Sequence, residues 1–161
     1  MSSINWGRVI LGGFVAGMLI NVVEFLLNGV VLAKDWERAI LALGIPPIAG
    51  SRIAVFFIWG FILWGFLIGI FAVWLYAAIR PRYGAGPKTA LYVGSFVWVL
   101  GYLLPSVTPF LLNLWPHRIS GIGLTVGLLE VLLATLIGAY LYRNPRVPET
   151  CLRPGASDGS L

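Results

Sequence analysis

One cysteine and one histidine are all that 161 residues contain of those two types, and only 11% of the chain is charged. Each scarcity excludes something. A single thiol, Cys151, forms no internal disulfide, no thiolate metal cage and no Cys-x-x-Cys redox pair, which removes thiol–disulfide membrane enzymes. It lies eight residues beyond Arg143, and a free thiol in a loose tail is favoured over a lipid attachment point. The single His117 stands between Pro116 and Arg118 without the partners that a metal ligand or general base needs, and it reads as an ordinary solvated side chain. With no nucleophile beside an evident base and no sizeable hydrophilic domain, an enzyme is the least favoured class. No catalytic residue, metal ligand or cofactor is assigned.

The charge that is present is spread thinly. Eleven basic residues against six acids give a formal +5, but the basic residues sit singly or in pairs at the ends of apolar runs. There they meet lipid headgroups, so the expected partner is a lipid bilayer and not nucleic acid. With 59% hydrophobic residues and a mean hydropathy of +0.92, the chain falls outside the soluble range, in which about 25% of residues are charged. It is expected to be an all-α integral membrane protein.

A span needs about 20 apolar residues. Segments 8–32, 52–79, 88–112 and 118–142 qualify, which predicts a four-helix transmembrane bundle over residues 1–143. The first resembles the hydrophobic region of a signal peptide but is too long and opens onto no small-residue cleavage site, so a retained span is expected. Between the first two, AKDWERAILALG sets Lys34, Asp35, Glu37 and Arg38 to one side and Trp36, Ile40 and Leu43 to the other. This predicts a short interfacial helix with Gly44 as its cap and Pro46-Pro47 as its stop. Ser51 is placed to cap the second span. That span is apolar all round, with Trp59, Trp64 and Trp74 in it; these and Trp98 are candidates for a pigment or quinone pocket, although packing is the commoner use. RPRYGAGP (80–87) reads as a tight basic loop.

The third span is regular until Pro105, where a proline removes a backbone donor; a kink or early end is expected, with Ser106 or Thr108 serving freed carbonyls. Trp115 fits an interfacial anchor. Residues 144–161, rich in Pro, Gly and Ser, read as a mobile cytoplasmic tail. Four spans put both termini on one side, with Arg8, Arg80, Arg82, Lys88, Arg143, Arg146 and Arg153 there against Lys34, Arg38, Arg52 and Arg118 opposite. The positive-inside rule then places both termini in the cytoplasm.

Two acids lie where a span ordinarily has none. Gly13, Gly17, Asn21, Glu24 and Asn28 follow one another at steps of four, four, three and four, and so share a helix face. Gly123, Gly127, Glu130, Ala134 and Gly138 do the same in the fourth span. A carboxylate at mid-bilayer costs roughly 3 kcal/mol on insertion scales, so each acid should face protein or water. Counted from the cytoplasmic end at 1.5 Å per residue, Glu24 and Glu130 lie at roughly 24 and 20 Å. They are therefore expected to meet, with Asn21 and Asn28 beside them. The Gly-x-x-x-Gly spacings at Gly13/Gly17 and Gly123/Gly127 suit close helix packing. Two acids in low dielectric share a proton, hold a cation between them, or bond as neutral groups to the Asn amides. These outcomes suit a proton relay, a transport site and a structural clasp respectively.

The order of features resembles the small bacterial membrane proteins of about this length that have four spans. In those, the first helix breaks into a short Gly-x-x-x-Lys-x-Trp-like turn, represented here by Gly29 followed by Lys34-Asp35-Trp36. The likeness covers residues 6–143 and implies four spans and a membrane location. Such families are defined without an activity, so it transfers no functional residue. Two functions are compatible with the sequence. The first is an accessory or scaffold subunit, or a homo-oligomer, acting by association with the acids fixing helix contacts. The second is a proton- or cation-coupled transporter or small-ligand-binding protein using Glu24 and Glu130.

Overall fold

The computed structural model describes residues 4–45 and 51–142. The described residues are helical: α1 (Trp6–Leu26), α2 (Ala33–Ala42), α3 (Arg52–Tyr83), α4 (Pro87–Trp98), α5 (Leu104–Leu111) and α6 (His117–Tyr142). A π-helical turn, Leu27–Val31, continues α1, and a second, Val99–Leu103, joins α4 to α5. Four helical stretches are long and apolar enough to cross a membrane: Trp6–Val31, Arg52–Tyr83, Pro87–Leu111 and His117–Tyr142. Pro46-Pro47 and the tail from residue 143, Cys151 included, lie outside the described residues.

The local signals explain most of the ends. Asn5 caps α1, its Oδ1 accepting from the Arg8 amide at 3.2 Å. Ser51 caps α3 as expected, its Oγ accepting from the Ala54 amide at 3.2 Å. Gly44, at φ +72, closes α2 with its amide on the Leu41 carbonyl, a conformation that costs glycine little. One boundary differs from expectation. The basic segment 80–87 is not all loop, because α3 runs through Pro81 to Tyr83 and leaves only Gly84, Ala85 and Gly86 as the connection. Arg80 and Arg82 in that last turn complement the carbonyl end of the helix. The buried Thr89 then donates to the Tyr83 and Gly84 carbonyls at 3.3 and 2.9 Å.

Small residues set how closely the helices approach. On α1, Gly13 and Gly17 face Ile70 and Phe66 of α3, and Gly69 of α3 lies against the α1 backbone. A quarter turn away, Gly12 meets Gly138 of α6, with Val73 of α3 wedged between them. So α1 packs on both α3 and α6, while α4 packs on α6 and α3. The core between them is built from Val9, Ala16, Ile20, Val73, Tyr76, Val93 and Val131. At the end where the described chain begins and finishes, the Asn5 amide reaches the Tyr142 hydroxyl at 3.4 Å, and Arg80 lies over the Tyr142 ring. The first and last residues of the helical region thus share one end of the molecule.

The opposite end carries α2. Leu27, Leu32, Ala39 and Ile119 form a second small core, with Trp36 edge-on to Trp115 at 5.1 Å between ring centroids. Trp115 is therefore a packing partner of α2 as well as a residue at a helix end. Asp35, expected on the solvated side, turns inward to Arg118 at 2.5 Å, and Arg38 is 3.8 Å from its other oxygen. We expect Asp35→Asn to loosen α2 from α6, raising amide hydrogen exchange over 33–42 while leaving exchange in α3 unchanged.

Both π turns have local causes. In the first, the Asn28 side-chain amide donates to the Glu24 carbonyl at 3.3 Å, competing for the group that the regular ladder would use. The second comes just before Pro105, which has no amide to give the Gly101 carbonyl and whose ring crowds it. The helix therefore widens and continues instead of ending, and the Ser106 hydroxyl donates to the Leu103 carbonyl at 2.8 Å.

Candidate functional site

Glu24 and Glu130 come together. They stand on α1 and α6, which pack on each other, close enough for the two carboxyl groups to act on one another. Glu130 is 2% exposed, whereas Glu24 is half-buried. Two donors from elsewhere hold them. The Tyr102 hydroxyl, in the second π turn, donates to Glu130 Oε1 at 2.8 Å. The Asn28 amide, in the first π turn, donates to Glu24 Oε2. Asn28 in turn accepts at Oδ1 from the Trp36 indole N–H of α2 at 2.9 Å. Two hydrogen-bonded chains thus meet at the acids, Trp36 to Asn28 to Glu24 on one side and Tyr102 to Glu130 on the other, bringing together α2, α1, α6 and the α4–α5 junction.

The small residue at 127 is what admits the tyrosine. A Cβ at Gly127 would lie 2.7 Å from Tyr102 Cδ1, so the ring rests on the bare backbone of α6 one turn before Glu130. We expect Tyr102→Phe and Gly127→Ala each to cost about 0.6–2 kcal/mol, the range for a side-chain hydrogen bond between membrane helices. Because both break the same bond, the double variant should cost little more than either single, as read by unfolding in mixed micelles; full additivity would separate the glycine from the bond.

The two faces read from the sequence divide in the structure. Asn21 does not join the acids: its amide donates to the Gly17 and Ile62 carbonyls at 2.8 and 3.2 Å, lying over Gly65 of α3. The step of three residues from Asn21 to Glu24 turns the face back by about 60°, enough to move it from α3 toward α6. Gly13, Gly17 and Gly127 are at close contacts, but a Cβ at Gly123 would meet no atom within 4 Å. His117 is exposed at the start of α6, with its ring 5.1 Å from that of Phe110. Trp98 donates to the Leu124 carbonyl at 3.0 Å, bracing α4 on α6, and Trp59 and Trp64 face outward.

Tyr102 and Trp36 are the members of the cluster that spacing rules did not place there. The only sequence signal for Tyr102 was its position three residues before Pro105, just ahead of the stretch flagged as irregular. For Trp36 it was the apolar side of the short helix. Surface depressions lie elsewhere among the described residues. One of about 460 Å³ is lined by His117, Arg118, Gly121, Ile122, Thr125 and Val126; another, of about 160 Å³, lies beside Tyr76, Pro87, Ala90 and Tyr140. Neither is lined by an acid. Among the described residues, no group of three or more His, Cys, Asp or Glu stands together as a metal site.

The chain matches no family model, no curated protein and no solved structure. The likeness to small four-span proteins is therefore joined by no family match.

Proposed function

We propose that this chain is a small multi-pass protein of the bacterial inner membrane, with both termini cytoplasmic, that works by association as an accessory or scaffold subunit or as a homo-oligomer. The acid cluster is its internal fastening. The observation that carries this reading is the outward-facing first half of α3. Phe56, Trp59, Phe61 and Trp64 are 75%, 66%, 71% and 58% exposed, and this span is the least covered of the four. Lipid covers phenylalanine readily. An indole is different, because its N–H favours a headgroup or a protein acceptor. Trp64 lies twelve residues into α3 from Arg52, about 18 Å along the axis at 1.5 Å per residue, which is too deep for a headgroup. A protein acceptor from a neighbouring chain fits it.

Bilayer placement rests on the four long apolar helices, and orientation on the excess of basic residues at the shared end of the chain. The test is extraction into native-lipid discs followed by mass spectrometry of the intact particle. Further copies or a stoichiometric partner are expected. Trp59→Ala with Trp64→Ala should weaken that association by about 2 kcal/mol per hot-spot residue while leaving helix content unchanged. Recovery of the wild-type chain as an empty, monodisperse monomer would overturn the proposal.

A further inference from the structure

We propose that Glu24 and Glu130 form a binding site for one proton, held between the two carboxyl groups. The proposal is independent of what the chain associates with, and it follows from counting donors and acceptors. Glu130 Oε1 accepts from Tyr102, and Glu24 Oε2 accepts from Asn28. Glu130 Oε2 is fully buried and accepts from no N–H or O–H of the described residues. The neighbouring acid is Glu24, close enough for the two carboxyl groups to act on each other. Two ionised carboxylates facing each other would set acceptor against acceptor in a low dielectric. A proton on either one supplies the missing donor and removes one of the two charges.

A metal cation is the other occupant that such a pair can hold, and the neighbouring groups are turned the wrong way for it. The Trp36 indole can only donate, so the Asn28 atom it contacts must be the carbonyl oxygen. That fixes the amide orientation and directs the Asn28 N–H, not its oxygen, at Glu24. Tyr102 also presents its O–H. A hard cation requires about six oxygen ligands, and here the flanking groups offer hydrogens. Donors on both outer sides with a proton in the middle suit a pair bearing one negative charge.

Among the described residues, none of the groups that act on the pair is a cation. The groups acting on the pair are Glu24 from α1, Glu130 from α6, Tyr102 from the α4–α5 junction and the neutral Asn28. From α2 comes the neutral Trp36, while its Asp35 is engaged with Arg118 and Arg38. The charged groups of α3, Arg52, Arg80 and Arg82, stand at its two ends. Glu130 is enclosed, and Glu24 is the more exposed member of the pair.

Infrared difference spectroscopy of the full chain in lipid discs tests this. The wild type should show a protonated-carboxyl C=O band at neutral pH that disappears on alkalinisation. In Glu24→Gln the amide can take the proton's place: its oxygen keeps the Asn28 bond and its N–H donates to Glu130 Oε2. Glu130→Gln does the equivalent with Tyr102. Each single variant should therefore stay folded and lose the band, while the double Gln variant, which must give up one hydrogen bond, should be less stable than either single. The proposal is overturned if the wild type lacks the band at neutral pH, if the band persists in both single variants, or if added sodium, potassium or calcium ions remove it and raise the melting temperature.

Discussion

Gly69→Ala is expected to lower the stability of the folded chain by about 3 kcal/mol, at the upper end of what overpacking a core usually costs. A Cβ there would stand 2.3 Å from the Gly17 nitrogen, 2.6 Å from the Gly13 carbonyl oxygen and 2.7 Å from the Gly17 Cα. All three are backbone atoms of a helix, so no side chain can swing aside. The clash can be relieved only by separating α1 from α3, which also loosens the contacts of Phe66 and Ile70 on the same seam. Unfolding by a denaturing detergent in micelles should show the loss. Gly60→Ala and Gly123→Ala are the controls, because a methyl at either position meets nothing within 4 Å. Both should be neutral or slightly stabilising, since alanine is the better helix former by about 1 kcal/mol. If Gly69→Ala behaved like the controls, the α1–α3 seam would not be as close as described.

Glu130→Ala should be similarly damaging, at about 3 kcal/mol, the upper end for leaving a buried hydrogen-bonding group unsatisfied. The substitution strands the Tyr102 hydroxyl, leaves Glu24 without its partner and opens a space between α1 and α6. Glu130→Gln keeps the shape and both bonds and should cost less than about 1 kcal/mol. The gap between the two variants is the informative quantity. A small gap would mean that Tyr102 and Glu24 find other partners when the acid is lost, and the cluster would then not be what fastens α1, α6 and the α4–α5 junction together.

The site was only partly legible. The sequence placed Glu24 and Glu130 at one depth because rise per residue is fixed, and depth needs no knowledge of neighbours. It paired Asn28 with Glu24 because four residues return to the same face. It misgrouped Asn21 with them, since a face read from spacing is broad and two different helices, α3 and α6, divide it. It missed Tyr102 for a related reason. A π turn inserts an extra residue, so positions beyond it rotate by about 100° relative to a regular helix. Nothing in the local pattern around Gly101 and Tyr102 gives the size of that rotation, although Pro105 marks that the ladder is disturbed there.

The chain alone determined that four long apolar helices and one short amphipathic one would form, and where each starts and stops to within a few residues. Hydropathy, capping side chains and proline act over a few neighbouring residues, so their effects can be read in order along the chain. Tertiary structure decided which donors reach the acids and which glycines carry contacts. Those outcomes depend on the rotation of each helix about its own axis against its neighbours. That rotation is set by the fit of Gly69 to Gly17, of Gly138 to Gly12 and of Tyr102 over Gly127, contacts between residues 25 to 126 positions apart.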